Sequence, residues 1–354
     1  MFYKKCFLNV FCALEKRKNN FIEVLCPACE LNNSKFLYEK KSMKQVRCLN
    51  CFTQYANPRP TPKILSEFYL NSKNYEYVKG NISNKKFMEE LISKCDAVVN
   101  FAAESFVDRS INDANPFLVS NIRGSFTILD IITNQKKRMV QISTDEVFGS
   151  LNQGTADEES RFNPSSPYAA TKAAAELLIN SYSITFDSDV IITRCTNNFG
   201  PRQFAEKLIP KTIILANKNF KIPIYGKGKN VRDWIYVDDH CDAVKMALLN
   251  GKSGESYNIS ANNEVDNLTI VKKILKIMDK PEELIEFVED RPGHDFRYAI
   301  DHALITKELG WKPKHSFLEG LNKTVDWYLN NIQWYKNIKT KSNNIDKRIG
   351  LTNL

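Results

Sequence analysis

Polar residues with the chemistry of acid–base catalysis follow directly on an apolar run at residues 138–144. The run RMVQIST has the body of a buried strand, and Thr144, Asp145 and Glu146 stand where its apolar pattern stops. Ligands of open α/β sheets bind at the carboxyl ends of strands, so chemistry is expected at these polar residues. For this segment alone, a solvated turn or a helix N-cap remains an alternative interpretation.

A tyrosine and a lysine follow at helical spacing, within a predicted helix at 167–186. Pro167 suits the first turn of a helix, and the i, i+4 spacing puts Tyr168 and Lys172 on one face. A neighbouring ammonium group favours a phenolate, so the sequence predicts a lowered pKa for Tyr168 and a base near neutral pH. The pair alone is common on exposed helices, but its position after the acidic residues favours a catalytic function.

The elements that must hold these residues alternate between strands and helices. The continuous apolar run at 97–103 is typical of a buried parallel strand. The predicted strands lie at 75–81, 97–103, 138–144 and 189–201, and the predicted helices at 84–94, 116–134 and 167–186. This alternation predicts an α/β fold with a Rossmann-like, doubly wound parallel sheet, and a smaller substrate lobe mainly within 201–335.

Four cysteines ahead of this alternation have the spacing of metal ligands. Cys26 and Cys29 form one C-x2-C pair, and Cys48 and Cys51 form a second pair after eighteen intervening residues. Two such pairs predict a structural zinc site closed by four thiolates. The other five cysteines show no pairing pattern, which favours a reducing, cytoplasmic compartment.

Composition and charge limit the classes of function. Of the 354 residues 43% are hydrophobic and 26% charged, as in ordinary globular proteins, and no apolar run is long enough for a membrane helix. Residues 1–75 carry 13 Lys and Arg against 5 Asp and Glu, and 338–354 is predicted to be a basic, disordered tail. Solvated lysine-rich flanks explain this charge better than nucleic-acid binding, since no recognition helix accompanies it.

Residues 75–335 resemble the dTDP-glucose 4,6-dehydratases of the extended short-chain dehydrogenase/reductase group (NAD-dependent epimerases and dehydratases). The resemblance rests on FAAESFVDRSI (101–111), ISTDEVFGS (142–150), PSSPYAATKAAAE (164–176), TRCTNNFGP (193–201), EKLIP (206–210), VRDWIYVDDH (231–240) and VEDRPGHDFRYAID (288–301). Residues 25–70 resemble the zinc-ribbon leader of S-adenosylmethionine-dependent sugar methyltransferases, and residues 1–24 form a lead-in without a clear period.

The resemblance implies a lyase that converts dTDP-glucose to dTDP-4-keto-6-deoxyglucose, with NAD as a transient oxidant. It implies that Tyr168 is the base at the sugar C4 hydroxyl, that Thr144 hydrogen-bonds the same oxygen, and that Lys172 holds the nicotinamide ribose. Asp145 would protonate the departing C6 hydroxyl, and Glu146 would remove the C5 proton. Nucleotide-sugar epimerases and decarboxylases need no acid at C6 and usually carry serine at the position of Asp145.

The resemblance also implies ligand-binding residues and a dimer. The implied NAD ligands are Asn81, Ile82, Phe101, Ala102, Ala103, Glu104, Ser105, Ser120, Asn121, Tyr168, Lys172 and Asn198. The implied nucleotide-sugar ligands are Thr144, Asn197, Lys207, Leu208, Pro223, Ile224, Tyr225, Arg232, Asn267, Asp290, Arg291, Pro292, Gly293 and His294. The implied homodimer forms through the predicted helices at 116–134 and 167–186.

The chain departs from the resembling family at the cofactor end. The family begins with a glycine-rich turn that binds the NAD pyrophosphate, whereas the first glycine here is Gly80, and the acidic residue at the adenosine ribose is also absent. A histidine common in the family's AESHVDRS loop is replaced by Phe106. We expect impaired NAD binding and an unpaired edge on the strand at 97–103.

Two alternatives remain open from the sequence. The first is a catalytically inactive subunit that still binds a sugar nucleotide, and the second is a zinc-ribbon protein that binds nucleic acid. NAD bound to the purified protein would argue against the first, and salt-dependent DNA binding would support the second.

Overall fold

The structure is a computed structural model that describes residues 34–40, 43–48, 54–56, 78–290, 293–332 and 334. It divides the chain into two units, Met1–Lys79 and Gly80–Leu354. In the first unit, β1 (Ser34–Lys40), β2 (Met43–Cys48) and β3 (Gln54–Ala56) form an antiparallel sheet in the order β1-β2-β3. The predicted zinc ligands Cys26, Cys29 and Cys51 lie outside the described residues, and only the backbone of Cys48 is described.

The second unit alternates strands and helices, as predicted. Its first half contains α1 (Lys85–Ser93), β4 (Ala97–Asn100), α2 (Val107–Asn112), α3 (Asn115–Phe117), a π-helical segment (Leu118–Gly124), α4 (Ser125–Gln135), β5 (Arg138–Thr144), a 3-10 turn (Asp145–Phe148) and α5 (Pro167–Phe186). Its second half contains β6 (Val190–Cys195), β7 (Asn197–Phe199), α6 (Leu208–Asn217), β8 (Ile222–Tyr225), β9 (Val231–Tyr236), α7 (Val237–Asn250), β10 (Ser256–Ile259), β11 (Glu264–Asp266), α8 (Asn267–Ile277), a 3-10 turn (Glu282–Leu284), β12 (Ile285–Val288), α9 (Ala303–Leu309) and α10 (Phe317–Asn330). Among the helices that the structure describes, none is long and apolar enough to cross a membrane.

A parallel sheet in the order β10-β6-β5-β4 forms the centre of this unit. Met139 and Val140, successive residues of β5, are both fully buried and face opposite sides of the sheet. Met139 packs with side chains of α1, α4 and α5, including Ile132, while Val140 packs with side chains of α7 and α9, including Ala243. Helices on both faces explain why the strands are apolar throughout, and they confirm the predicted doubly wound α/β fold.

The start of this sheet differs from the prediction in two places. β4 ends at Asn100 rather than at residue 103, because the Asn100 side-chain oxygen accepts a hydrogen bond from the Ala102 amide (3.1 Å) and turns the chain. The predicted strand at 75–81 is wrong for residues 78–81, which lead into a turn closed by the Asn84 amide on the Asn81 carbonyl (3.0 Å). Among the described residues β4 pairs with β5 alone, and the unpaired edge stays a prediction for the chain as a whole.

The predicted substrate lobe contains two smaller sheets and the helices that cover them. β11, β9 and β7 form one sheet in that order, and β12 pairs with β8 in another. Helices α6, α8 and α10 pack on the first sheet around a core that includes Ile213, Trp234, Ile270 and Leu321. The predicted strand at 189–201 is thus split: β6 belongs to the central sheet, whereas β7 starts the substrate lobe.

Candidate active site

The end of β5 presents its polar residues through a short capped turn. The Thr144 hydroxyl oxygen accepts a hydrogen bond from the Glu146 amide (3.3 Å) and caps the 3-10 turn. Gly149 ends that turn with φ of 70°, and an added Cβ there would lie 2.1 Å from the Asn163 carbonyl oxygen. The local sequence therefore forms the N-cap considered above, and the same cap places both carboxyl groups at the carboxyl end of the strand.

Asp145 is a buried carboxyl group with few compensating contacts. Its side chain is 3% exposed, and burial, followed by the nearby Glu146 carboxylate, raises its pKa well above the usual value. The Thr144 hydroxyl donates to one Asp145 oxygen (3.2 Å), whereas the other oxygen is buried and has no hydrogen-bond partner among the described residues. Burial therefore favours the protonated form of Asp145, which is the form that can donate a proton.

Local capping fixes the start of α5 and the position of Tyr168. The Ser166 hydroxyl oxygen accepts a hydrogen bond from the Ala169 amide (3.1 Å), and Pro167 occupies the first turn. The Tyr168 amide donates to the Ser110 hydroxyl on α2 (3.1 Å), and the Phe117 ring packs edge-on against the Tyr168 ring at 6.3 Å. The Tyr168 ring is consequently 8% exposed, at the same end of the sheet as the acidic pair.

The predicted effect of Lys172 on Tyr168 is wrong for the protein without ligands. Burial, followed by the Glu146 carboxylate, raises the pKa of Tyr168 well above its usual value, and a hydrogen bond with Thr144 opposes this only in part. Lys172 is itself buried, its pKa is lowered to about 8 by desolvation, and its ammonium group donates to the Ile142 carbonyl (2.5 Å). Desolvation of the phenol outweighs the local i, i+4 effect because both groups lie in the interior.

Asn121, predicted to bind NAD, is 1% exposed, and its side chain makes hydrogen bonds within the protein. The π-helical segment turns its side chain inward, where it accepts from the Glu104 amide (2.9 Å) and donates to the Glu104 carbonyl (3.0 Å) and the Thr171 hydroxyl (3.0 Å). Asn121 therefore anchors the turn after β4 to helix α5. The turn is accessible to solvent, since Phe101, the residue after β4, is 57% exposed.

Asn198, another predicted NAD residue, has an unsatisfied polar group. The Asn198 amide nitrogen donates to the Cys195 sulfur (3.2 Å), while its side-chain oxygen is buried without a partner among the described residues. A buried amide oxygen without a partner could accept a hydrogen bond from the carboxamide of a nicotinamide group. Asn81, predicted to lie at the adenine end of NAD, is exposed, and its side chain closes a turn with Ser83. The described part of the chain has no glycine-rich turn after a parallel strand.

A cavity of about 210 Å³ opens beside the acidic pair and collects most of the predicted substrate residues. Its wall includes the predicted residues Asn197, Lys207, Leu208, Pro223, Ile224, Tyr225, Arg232, Asn267 and His294, together with Glu146 and Ser105. His294 also contacts the exposed Asp290 carboxylate (2.6 Å), while Arg291 and Pro292 lie outside the described residues. Sequence reasoning missed further wall residues, among them Phe106, Glu206, Lys211 and Tyr298.

Arg232 supplies a fixed positive charge to this cavity. Its guanidinium group donates to the Asp295 carbonyl (2.9 Å) and the Phe296 carbonyl (3.2 Å), and lies 4.3 Å from the centre of the Tyr298 ring. The side chain is 5% exposed, so the planar donor group keeps one orientation. Such a group is suited to bind an anionic substituent of a ligand.

Tyr298 connects the Glu146 carboxylate with a second carboxylate. Its hydroxyl lies 3.5 Å from a Glu146 oxygen and donates a short hydrogen bond to Asp295, which also accepts from the Ser165 hydroxyl. Tyr298 lies within the segment 288–301 that carries the resemblance, but a single tyrosine in this segment did not indicate a functional position. Only the tertiary fold brings it to Glu146.

A doubly wound sheet with an acidic pair at one strand end and a Tyr-x-x-x-Lys pair on the next helix defines the class of short-chain dehydrogenase/reductase-like enzymes. The family model described as GDP-mannose 4,6 dehydratase matches residues 44–324, and the chain belongs to this family of nucleotide-sugar dehydratases.

Known proteins of this family are similar over most of the chain. The low-salt glycan biosynthesis protein Agl12 of Haloferax volcanii is 49% identical over 262 residues, 74% of this chain and 84% of that protein. A dTDP-glucose 4,6-dehydratase of Streptomyces niveus is 43% identical over 269 residues, 76% of this chain and 80% of that protein. The crystal structure of the Bacillus anthracis dTDP-glucose 4,6-dehydratase in complex with NAD is 43% identical, with a TM-score of 0.71, and the match covers 76% of this chain and 84% of that one.

Proposed function

We propose that this chain is a lyase that removes water from dTDP-glucose to give dTDP-4-keto-6-deoxyglucose, with NAD as its cofactor. The observation that carries the proposal is that Asp145, a buried carboxyl group whose pKa is raised, adjoins Glu146, which lines the nucleotide-sugar cavity. An elimination needs one acid and one base side by side, and unequal burial of two neighbouring carboxyl groups provides them. The names of the similar proteins from Streptomyces niveus and Bacillus anthracis support the choice of substrate.

NAD, when bound, would supply a reversible hydride acceptor and a positive charge. Tyr168, Lys172 and the unsatisfied Asn198 oxygen are the groups that would hold its nicotinamide end. A positive charge near Tyr168 favours the phenolate, which offsets the raised pKa that burial gives this residue in the protein alone. Tyr168 can then accept the proton of the sugar C4 hydroxyl, while Thr144 hydrogen-bonds the same oxygen.

The two carboxyl groups divide the elimination between them. A C4 ketone acidifies the C5 hydrogen, and the Glu146 carboxylate removes that proton. Asp145 donates its own proton to the C6 hydroxyl, which leaves as water as the C5–C6 double bond forms. Glu146 ends protonated and Asp145 ends as a carboxylate, so this step balances with the loss of one water molecule. The proton on Glu146 would pass to C5 when the hydride taken from C4 returns to C6, which gives the 6-deoxy product. Tyr298 orients Glu146 from the side of Asp295.

Conversion of dTDP-glucose at saturating NAD, followed by NMR of the sugar, tests this function. We expect a 4-keto-6-deoxy product that accumulates in proportion to the enzyme concentration. Unchanged substrate at millimolar NAD would contradict the proposal, and binding of the nucleotide without turnover would then favour the inactive-subunit alternative.

Exposed apolar side chains on two neighbouring helices support the homodimer. Leu118 in the π-helical segment, Phe126 on α4, and Leu177 and Ile184 on α5 are 46%, 40%, 61% and 86% exposed. Exposed apolar residues that form a contiguous patch are typical of an interface between protein chains. Ile184→Glu should lower the mass measured by light scattering from dimer to monomer, whereas Leu249→Glu on α7, a similarly exposed control, should not. A parent protein that is monomeric at micromolar concentration would contradict the dimer.

The paired cysteines support a structural zinc ion bound by Cys26, Cys29, Cys48 and Cys51. The backbone register of the β1–β2 hairpin, which sets Ser34 opposite Cys48, is compatible with such a site. Elemental analysis of protein purified without a chelator should find one zinc ion per chain, and Cys48→Ser should lose it. Cys95→Ser, at an exposed free cysteine, is the control. The unpaired pattern of the other five cysteines supports a cytoplasmic location.

A further inference from the structure

An aromatic ring and two cationic side chains meet at one wall of the nucleotide-sugar cavity. Phe106 is the half-buried residue that precedes helix α2, and its ring lines the cavity. The Lys207 ammonium nitrogen lies 4.3 Å from the centre of this ring, and the Arg109 guanidinium carbon lies 4.8 Å from it. The Phe204 ring packs edge-on against Phe106 at 6.3 Å, from the loop that leads to Lys207.

The Phe106 ring is a short-range contact of the Lys207 side chain at the cavity wall. The negative face of an aromatic ring attracts a cation within about 6 Å, and partial burial strengthens this attraction. The Lys207 ammonium group also donates to the Ser105 carbonyl, but at 3.4 Å, which is long for a charge-assisted hydrogen bond. A lysine side chain has several rotatable bonds, so a contact that restricts it before binding reduces the entropy lost on binding.

Arg109 contacts the same ring but is held by a different partner. Its guanidinium group donates to both oxygens of the Glu206 carboxylate, at 3.0 and 3.4 Å. Glu206 is 8% exposed, so this ion pair fixes the Arg109 guanidinium group beside Phe106 and balances its charge. Lys207 lines the cavity whereas Arg109 does not, so Lys207 is the cation of this cluster that is placed to meet an anionic ligand.

We propose that Phe106 is a positioning residue that holds the Lys207 ammonium group, through a cation–π contact, for the negatively charged nucleotide part of the substrate. The proposal rests on the proposed function, because that function requires a nucleoside diphosphate in this cavity. Phe106 contributes the charge distribution of its ring, and a non-aromatic side chain of similar volume would leave Lys207 without this contact.

Stepwise fluorination of the ring tests this role while its shape is largely preserved. Phenylalanine with one, two and three ring fluorines is incorporated at position 106, and dTDP binding is measured by calorimetry. Each fluorine withdraws electron density from the ring face, so the affinity should fall in steps, reaching about a two- to tenfold loss with three fluorines. The same series at Phe204, which contacts Phe106 but is not part of the cavity wall, should leave the affinity unchanged.

The same series in a Lys207→Met variant separates the contribution of Lys207 to dTDP affinity from that of Arg109 and from general packing effects. In Lys207→Met, which keeps the length of the side chain without its charge, the fluorine series at position 106 should no longer change the affinity. A flat series in the parent protein, or an equal slope in Lys207→Met, would overturn the positioning role alone. A parent protein that binds no dTDP would contradict the proposed function and this inference together.

Discussion

Asp145→Asn separates the acid function of this residue from every other contribution that it makes. The side chain is 3% exposed and its pKa is raised by burial and by Glu146, so the folded protein favours the neutral carboxylic acid. Asparagine has nearly the same shape and is also neutral. The substitution therefore removes one transferable proton and leaves the packing and the local charge almost unchanged.

The expected loss follows from the role of a general acid. A positioned acid contributes about 10²- to 10⁴-fold to a proton-transfer step, which is about 3–5 kcal/mol of barrier. Loss of water at C6 should slow by this factor at saturating NAD. Abstraction of the C5 proton by Glu146 does not require Asp145, so C5 should still exchange with solvent deuterium in Asp145→Asn.

Two time courses in deuterated water measure these steps: formation of the 4-keto-6-deoxy sugar, and deuterium incorporation at C5 of the remaining substrate. Glu146→Gln is the matched control, since it should abolish both product formation and C5 exchange. If Asp145→Asn eliminates water as fast as the parent, the acid assignment is refuted. Loss of C5 exchange in Asp145→Asn would show that the two carboxyl groups cannot be assigned separately.

The same substitution has a predicted effect on stability that depends on pH. Because the pKa of Asp145 is raised in the folded protein, folding favours the protonated form. The parent therefore loses stability as the pH rises from the ordinary aspartate pKa, about 3.9, towards the folded pKa, whereas Asp145→Asn does not. Denaturation at pH 4 and pH 7 should show a stability advantage of Asp145→Asn that grows with pH, and a constant difference would contradict the raised pKa.

Three further predictions concern Tyr298, the buried ion pair and the cofactor. Tyr298→Phe keeps the ring that faces Arg232 but loses the hydroxyl near Glu146. Turnover should therefore fall about tenfold, whereas the affinity for dTDP should be retained. Equal losses of turnover and affinity would contradict this prediction. In the parent protein the buried Arg194 guanidinium group lies 2.8 Å from the Glu176 carboxylate. Glu176→Gln removes this negative charge and should lower the free energy of unfolding, measured by chemical denaturation, by about 3–5 kcal/mol. A loss below about 1 kcal/mol would contradict this prediction. NAD should bind to this protein about a thousandfold more weakly than to a protein with a glycine-rich turn. The reason is the loss of two or three hydrogen bonds to the pyrophosphate, worth about 1.5–3 kcal/mol each. A low-micromolar affinity measured by calorimetry would refute this prediction.

Local sequence signals predicted the elements that carry the catalytic residues. Strand β5 and helix α5 have the predicted bounds, because an apolar run, a serine N-cap and Pro167 are each visible over a few neighbouring residues. The predicted helix at 116–134 is present, but the π-helical segment within it was not foreseen. That segment turns Asn121 towards Glu104 and Thr171, and contacts so distant in the sequence leave no periodic trace.

Tertiary burial explains the parts of the site that the sequence could not predict. The sign of the Tyr168 pKa shift depends on Val107 and Phe117, which pack around the ring and outweigh the lysine one turn away. Tyr298 meets Glu146 across 152 positions of the chain, so no local pattern marks it. Phe106 could be recognised as a departure from the resembling family, but its contact with Lys207 required the fold.

Dehydration itself is tested most directly with dTDP-glucose that carries deuterium at C4. The labelled substrate is incubated with the full-length chain at saturating NAD, and the sugar is followed by NMR and mass spectrometry. The expected product is the 4-keto-6-deoxy sugar, lighter by one water molecule, with the deuterium retained at C6. Recovery of an epimer of unchanged mass, or of unreacted dTDP-glucose, would contradict the assignment of this chain as a dehydratase.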